Sequence, residues 1–276
     1  MSTSANHLST AQVERFKTEG FLSPLDALAE TEVSRYQNWL SQAEAGEPLA
    51  KPYRQKSHLL FPAIAELVRH PRILDAVESI LGPDLLCWTT TFFIKEPHDP
   101  GFVSWHQDAT YWGLSEPDVI TAWVALTPSR HENGCVKVIP GTHTSQVAHA
   151  DTHNASNMLT RGQEIAVAVD ERDAVEMALE PGQFSLHHTL LFHSSEPNPS
   201  DIRRVGLAIR YIPTRLRQTA GIRDGATLVR GVDNFGNFDL ENAPMADLDE
   251  AAVAHHADMR SRINQVLHRQ SDKART

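Results

Sequence analysis

Hydrophobic positions follow one period before about residue 84 and another after it. Residues 9–45 read as helical: Ser9 or Thr10 can cap a first turn, AQVERFKTEG follows, and Gly20 is a natural stop. AETEVSRYQNWLSQAEAG then places Val33, Tyr36 and Leu40 on one helical face. PAIAELVRHPRILDAVESIL (62–81) predicts two short helices broken at Pro71, with Gly82-Pro83 ending the second. Beyond that point short runs rich in β-branched and aromatic residues predict strands at 85–97, 102–108, 119–126, 135–140, 164–169, 174–180, 184–195 and 203–213. Helices followed by many short strands give an α+β class with a β-sandwich or jelly-roll barrel. RDGATLVRGVDNFGNF (223–238), rich in Gly and polar residues, reads as a lid over the barrel mouth, and DLDEAAVAHHADMRSRINQVLHRQ as a polar terminal helix facing solvent or a partner.

No Pro/Gly/Ser linker, charge block or repeat divides the 276 residues, so one domain is expected: a helical start at about 9–83, a barrel at about 85–215, and a lid and helix at about 216–276. A net charge of −10, from 25 basic and 35 acidic residues, argues against nucleic-acid binding, which needs a basic face. It leaves room for a small anionic substrate, since a few buried arginines can define a pocket inside an acidic shell. Cys87 and Cys135 are too few for a disulfide framework and lack zinc-ligand spacing. Without an apolar signal core or a run of roughly 18 apolar residues, no membrane partner is expected and a cytoplasmic location follows.

The chemistry enters through histidine. An oxygen-activating iron(II) site needs two imidazoles and a carboxylate on one face of the metal, with the other positions open. His-x-Asp on a strand supplies two of these, because residues two apart share a face. The motif occurs three times. His149/Asp151 sits in a polar stretch that reads as an exposed loop, and His256/Asp258 in the terminal helix, where the two side chains diverge. His106/Asp108 alone lies in a strand-like run, VSWHQDATYW, and His193 ends an apolar run 87 residues later. Eleven residues beyond His193 comes Arg204, whose planar fork suits the distal carboxylate of 2-oxoglutarate. Ser195 can add a hydroxyl. Each residue alone has an ordinary structural explanation; the combination points to an Fe(II) oxygenase using 2-oxoglutarate and O₂.

Gly20-Phe21, HPRILDAVESILGP, FFIKEP, WHQD, TAWVAL, ENGCVKVIPGTH, HSSEPN and the trailing Arg together resemble the phytanoyl-CoA dioxygenase family of 2-oxoglutarate oxygenases over about residues 10–215. The resemblance implies a double-stranded β-helix with helices on its outer face. It implies iron on His106, Asp108 and His193, and a cosubstrate carboxylate on Arg204 and Ser195. Thr91 and Trp123 match cosubstrate-lining positions, and Lys56 sits where relatives carry a basic pocket residue, in a loop of different length. The family wording after the distal His is Gly-Ser-Gly, whereas this chain has Ser194-Ser195-Glu196. Halogenases of the family replace the Asp with a small residue, so Asp108 implies hydroxylation.

For the prime substrate, strand phase supplies the one lead. If 203–212 is regular, Arg210 shares the inward face with Arg204. A buried cation needs an anion, either a substrate carboxylate, phosphate or phosphonate, or an internal acid. Lys95 is in phase with Thr91 and is a weaker candidate of the same kind. Tyr111 and Trp112 are candidates for an aromatic wall. Two other readings remain open: a cupin-type metal hydrolase or isomerase, which has no use for Arg204, and a non-catalytic binding protein on the same scaffold.

Overall fold

The computed structural model describes residues 7–44, 49–159 and 162–273; the side chains of Tyr111 and 267–273 lie outside that description. The first helix, α1 (Thr10–Glu19), opens with a capping box: Ser9 Oγ accepts from the Gln12 N–H, and Gln12 Oε1 accepts from the Ser9 N–H. Gly20, at φ +83°, closes it in the left-handed region, its N–H donating to Phe16 O. The helical expectation for 9–45 fails just beyond, where β1 (Phe21–Asp26) is a strand. It forms the edge of a sheet, where Pro24 needs no ladder partner, and a bulge falls between Leu22 and Leu25. Edge pairing, which short-range pattern does not report, overrode helical propensity.

After α2 (Glu30–Glu44), α3 (Pro62–Leu67) and α4 (Pro71–Leu81) break at Pro71 as expected, because the ring removes an N–H the helix interior needs. Strands follow: β2 (Leu85–Lys95), β3 (Val103–His106), β4 (Ile120–Ala125), β5 (Val136–Val138), β6 (His149–Asp151), β7 (Gln163–Ile165), β8 (Val175–Met177), β9 (Gln183–His188), β10 (His193–Ser195), β11 (Arg204–Pro213), β12 (Gly225–Arg230) and β13 (Asp239–Leu240), then α5 (Glu250–Lys273). The run 184–195, read as one strand, divides into β9 and β10 on different sheets. The intervening Thr189–Phe192 segment carries the chain across, with Leu191 N–H donating to His188 O.

Two sheets face each other: a seven-stranded one in the order β1-β9-β4-β11-β2-β12-β13, and a four-stranded one in the order β3-β10-β5-β8. The central strand β11 is buried along its whole length, and its alternate residues divide between two cores. Val205, Leu207, Ile209 and Tyr211 join Phe92, Val124 and Phe184 against helix residues such as Tyr36, Ile64 and Val77. The opposite face, with Arg204, Ala208 and Arg210, looks into the barrel. Helices thus cover the outer face of the large sheet, in the expected α+β jelly-roll arrangement.

Two expectations for the C-terminal region need correction. The segment taken for a lid is sheet over Gly225–Arg230, where β12 pairs antiparallel with β2 through Thr227↔Cys87; 231–238 is an irregular, mostly exposed connection to β13, which pairs with β12. The segment's glycines suggested mobility, but the unpaired ladder of β2 recruits β12. The terminal helix is also less solvated than its polarity suggests, since Ala252, His256, Met259, Ile263 and Val266 form a buried stripe. His256 Nε2 contacts Gln55 O at 2.8 Å, so the third His-x-Asp copy is occupied structurally. Among the described residues, no helix is long and apolar enough to cross a membrane.

Candidate metal and cosubstrate site

His106 and His193 are direct cross-strand partners on β3 and β10, with ring centroids 4.0 Å apart. Asp108 completes the set differently from the expectation. β3 ends at His106, and Asp108 begins a 3-10 turn, Asp108–Tyr111, with its N–H donating to Thr189 O at 2.9 Å. The turn re-aims the carboxylate, and one ligand atom from each of the three residues lies within 4.8 Å of the others. His106 Nδ1 is 2.9 Å from Ser104 O, and His193 Nδ1 is 2.9 Å from Leu191 O. A carbonyl only accepts, so each Nδ1 carries the proton and each Nε2 is left with a lone pair. Asp108 Oδ2 is buried without a hydrogen-bond partner among the described residues.

Electrostatics agree with that donor set. Burial opposes the charge of Asp108, but Arg210, His106 and His193 outweigh it and hold the carboxyl far below its ordinary range. Burial also pushes His193 well down, toward the neutral imidazole a metal requires. Two neutral nitrogens and one carboxylate fit a divalent transition metal with open positions.

At the other end of the same pocket stands Arg204. Its Nη1 donates to Ser195 Oγ at 2.8 Å and to Gly134 O. Its guanidinium lies 5.5 Å from the Trp123 ring. The indole reaches over β11 because position 206 is glycine; a Cβ there would sit 1.9 Å from Trp123 Cζ2. Lys95 reaches this end of the pocket, away from the substrate position suggested by phase: its Nζ donates to Ser195 Oγ at 2.7 Å, Ser195 O at 3.3 Å and Glu196 O. Burial and the neighbouring Arg204 push the Lys95 ammonium down to about 6. Three acceptors around Nζ favour the charged form in place. Glu196 turns outward to Lys137, at 3.2 Å.

Lys56 and Arg210 each meet an acid of the chain itself. Lys56 is in a separate buried pair with Glu241 at 2.6 Å, because its loop differs in length and β13 brings the acid to it. Arg210 does point inward, but its Nε lies 3.6 Å from Asp108 Oδ2, the internal-acid alternative. Its Nη1 donates to Thr91 Oγ1 at 3.0 Å, and Trp112 supports the guanidinium from 5.2 Å while packing on Trp88. The Tyr111 side chain lies outside the described residues.

Sequence reasoning missed Gln107, His149, Thr121 and His187. Gln107 Nε2 donates to Ser145 O and Leu190 O, and its Oε1 accepts from Val147 N–H. His149, expected in an exposed loop, is on β6, and its Nε2 accepts from the Gln107 N–H at 2.9 Å, between two metal-ligand positions. Thr121 and His187 line the pocket; period two, counted back from Trp123, would have found Thr121. Burial pushes the His187 imidazole down to about 4, keeping it neutral.

Two histidines and a carboxylate converging at one end of a pocket, with a buried arginine at the other, are a donor set that could hold a divalent metal and an anion. The family model described as phytanoyl-CoA dioxygenase (PhyH) matches residues 16–206, and the chain belongs to that family. It is 29% identical over 160 residues to a probable alpha-ketoglutarate-dependent hypophosphite dioxygenase of Stutzerimonas stutzeri, covering 57% of this chain and 55% of that protein. The chain spans about half the length of the curated relatives it matches. A solved non-heme monooxygenase, ThoJ in its apo form, superposes with a TM-score of 0.83 at 37% identity, covering 95% of this chain and 99% of that one. CytC3 with Fe(II) and alpha-ketoglutarate gives 0.67 at 25% identity, over 89% and 97%.

Proposed function

We propose that this protein is an Fe(II)- and 2-oxoglutarate-dependent dioxygenase that hydroxylates a C–H bond of a small, anionic molecule, releasing succinate and CO₂. The observation that carries the reading is the pairing of three converging ligand atoms with a buried Arg204 at the other end of one pocket. His106, Asp108 and His193 would hold the iron, which supplies oxygen activation when bound. Arg204 and Ser195 would hold the distal carboxylate of the cosubstrate, with Trp123 as a wall and Lys95 fixing the Ser195 hydroxyl. Asp108 occupies a ligand position, which favours hydroxylation. A cupin-type hydrolase or isomerase would have no use for the Arg204 end, and a binding protein would have no use for a carboxylate beside two histidines held in the metallating tautomer.

The anionic substrate is supported by charge. Iron's two positive charges match the two negative ones of 2-oxoglutarate. Arg204, Arg210 and the neighbouring Lys95 then face a single carboxylate, Asp108, so positive charge remains for a substrate carboxylate, phosphate or phosphonate. The test is anaerobic addition of iron(II) and 2-oxoglutarate, which should produce a weak visible metal-to-ligand absorption. Its absence would remove the oxygenase reading. Succinate formation stimulated by anionic compounds, and not by their esters or amides, would establish the substrate class; equal stimulation by neutral analogues would overturn it.

A further inference from the structure

Across the interior face of the large sheet, residues in register form rows. Trp123 pairs with Ala208 on one side and Ser185 on the other. One pleat further from Arg204, Thr121 pairs with Arg210 and with His187. These three residues are polar, and all line the pocket at the Asp108 end; the row ends beyond His187 at the apolar Phe21. The profile of the three is long, short, long: a threonine stands between a histidine and an arginine. The two long residues are rooted two strand spacings apart, about 10 Å, so the threonine floors a notch between them.

The notch is wet chemistry in a dry place. Thr121 is 1% exposed and His187 2% exposed. Thr121 Oγ1 and His187 Nδ1 are both buried without a hydrogen-bond partner among the described residues. Buried polar groups are normally partnered, and two orphans side by side on one pocket wall call for a shared ligand. A hydroxyl and an imidazole N–H can both donate, and Arg210 adds positive charge beside them. The complement to two donors and a cation is an oxyanion. Arg204 is six residues along the same strand, about 20 Å at the backbone, so the notch is distinct from the cosubstrate anchor.

We infer that Thr121 and His187, flanked by Arg210, form an oxyanion-binding notch that selects and orients the prime substrate by a carboxylate, phosphate or phosphonate head. The inference rests on reading this pocket as the iron and 2-oxoglutarate site, and it assigns specificity to two residues outside the metal and cosubstrate sets. The keto-acid carboxylate of the cosubstrate shares the same chemistry, and the experiment separates the two sources.

Protein loaded anaerobically with iron(II) and 2-oxoglutarate is titrated with inorganic phosphate and, separately, acetate, following heat and the visible absorption. At least one probe should bind the wild type. Thr121→Val and His187→Leu should each weaken that binding about tenfold, the effect of losing one hydrogen bond to a charged group, while 2-oxoglutarate affinity stays within about twofold. Thr121→Ser and His187→Asn restore a donor at the same place and should recover most of the probe affinity, which a loss of folding would not allow. Equal probe binding by the Val and Leu variants, or no binding of either probe to the wild type, would overturn the notch. A tenfold loss of 2-oxoglutarate affinity in those variants would assign the row to the cosubstrate instead. A wild type with no iron–2-oxoglutarate absorption would remove the underlying reading of the pocket, and the notch with it.

Discussion

Two basic side chains, Lys56 and Arg204, are equally buried, at 0% and 1% exposure, and they have opposite partners. Lys56 meets Glu241 at 2.6 Å and Gly225 O at 2.9 Å, and His58 Nε2 lies 3.5 Å from the second Glu241 oxygen. Arg204 meets only neutral acceptors, Ser195 Oγ and Gly134 O; among the described residues no carboxylate pairs with it. Burial pushes the Arg204 guanidinium down to about 10, with no acid near enough to reverse it. The fold has completed one charge internally and left the other to be completed from outside. A buried cation that lacks a carboxylate of its own therefore marks a ligand site. Lys56, which family resemblance had placed at the cosubstrate, fails that criterion.

The largest effects test whether the metal end belongs with the open charge. His106→Ala, Asp108→Ala and His193→Ala should each reduce iron-dependent succinate formation to background, because a three-ligand site has no spare donor. Full activity in any one of them would remove that residue from the site.

Next come the two cations themselves. Arg204→Met should raise the Michaelis constant for 2-oxoglutarate by roughly 30- to 1000-fold, about 2–4 kcal/mol, with Lys rescuing only part. It should leave the unfolding free energy of the ligand-free protein undiminished. Lys56→Met should do the reverse: a loss of about 3–5 kcal/mol in stability, from stranding Glu241, with an unchanged 2-oxoglutarate constant in the folded fraction. The pH dependence should change sign as well. Burial raises the Glu241 carboxyl, but Lys56 and His58 outweigh it and hold it at about 2, below the ordinary 4.5. Its contribution is therefore present above about pH 4.5 and lost as pH falls toward 2. Without Lys56 the largest opposing charge is gone and burial should outweigh His58 and raise the group, so stability should instead decline as pH rises above its unfolded value. Denaturant unfolding of both proteins across that range would settle the comparison.

What could be read from the sequence divides along the same line. Periodicity located α3, α4, β2, β4 and β11, and the phase of β11 put Arg204 and Arg210 inside. The ligand residues were legible because their chemistry has few other uses in combination. Pairing was not legible. β1 and β12 are strands because neighbouring ladders needed partners, which no local pattern encodes. Lys95 rather than Lys56 stands beside Ser195, because partners 100 and 185 residues away decide what each lysine meets. Arg210 is intermediate: its direction was legible, and its 3.6 Å approach to Asp108 was not.

The smallest expected effect concerns the two surplus His-x-Asp copies, which local texture treated alike. His256 sits on α5 and its Nε2 contacts Gln55 O at 2.8 Å. His149 sits on β6, with Nε2 accepting from the backbone N–H of Gln107 and Nδ1 3.0 Å from Val147 O. Nδ1 must therefore carry the proton and Nε2 the lone pair, the same tautomer as the ligand histidines. That bond fixes the peptide joining His106 to the Asp108 turn. Removing it frees one buried N–H next to two ligands without touching the metal, so the loss should be partial. His149→Ala should weaken iron(II) binding by about tenfold, the lower end for groups that orient ligands, and His256→Ala should leave it unchanged. His149→Gln, which can still offer an acceptor near the Nε2 position, should recover part of the difference. Equal iron affinity in the two Ala variants would show that the ligand turn holds itself, through Asp108 N–H on Thr189 O and the Gln107 side chain, without help from β6.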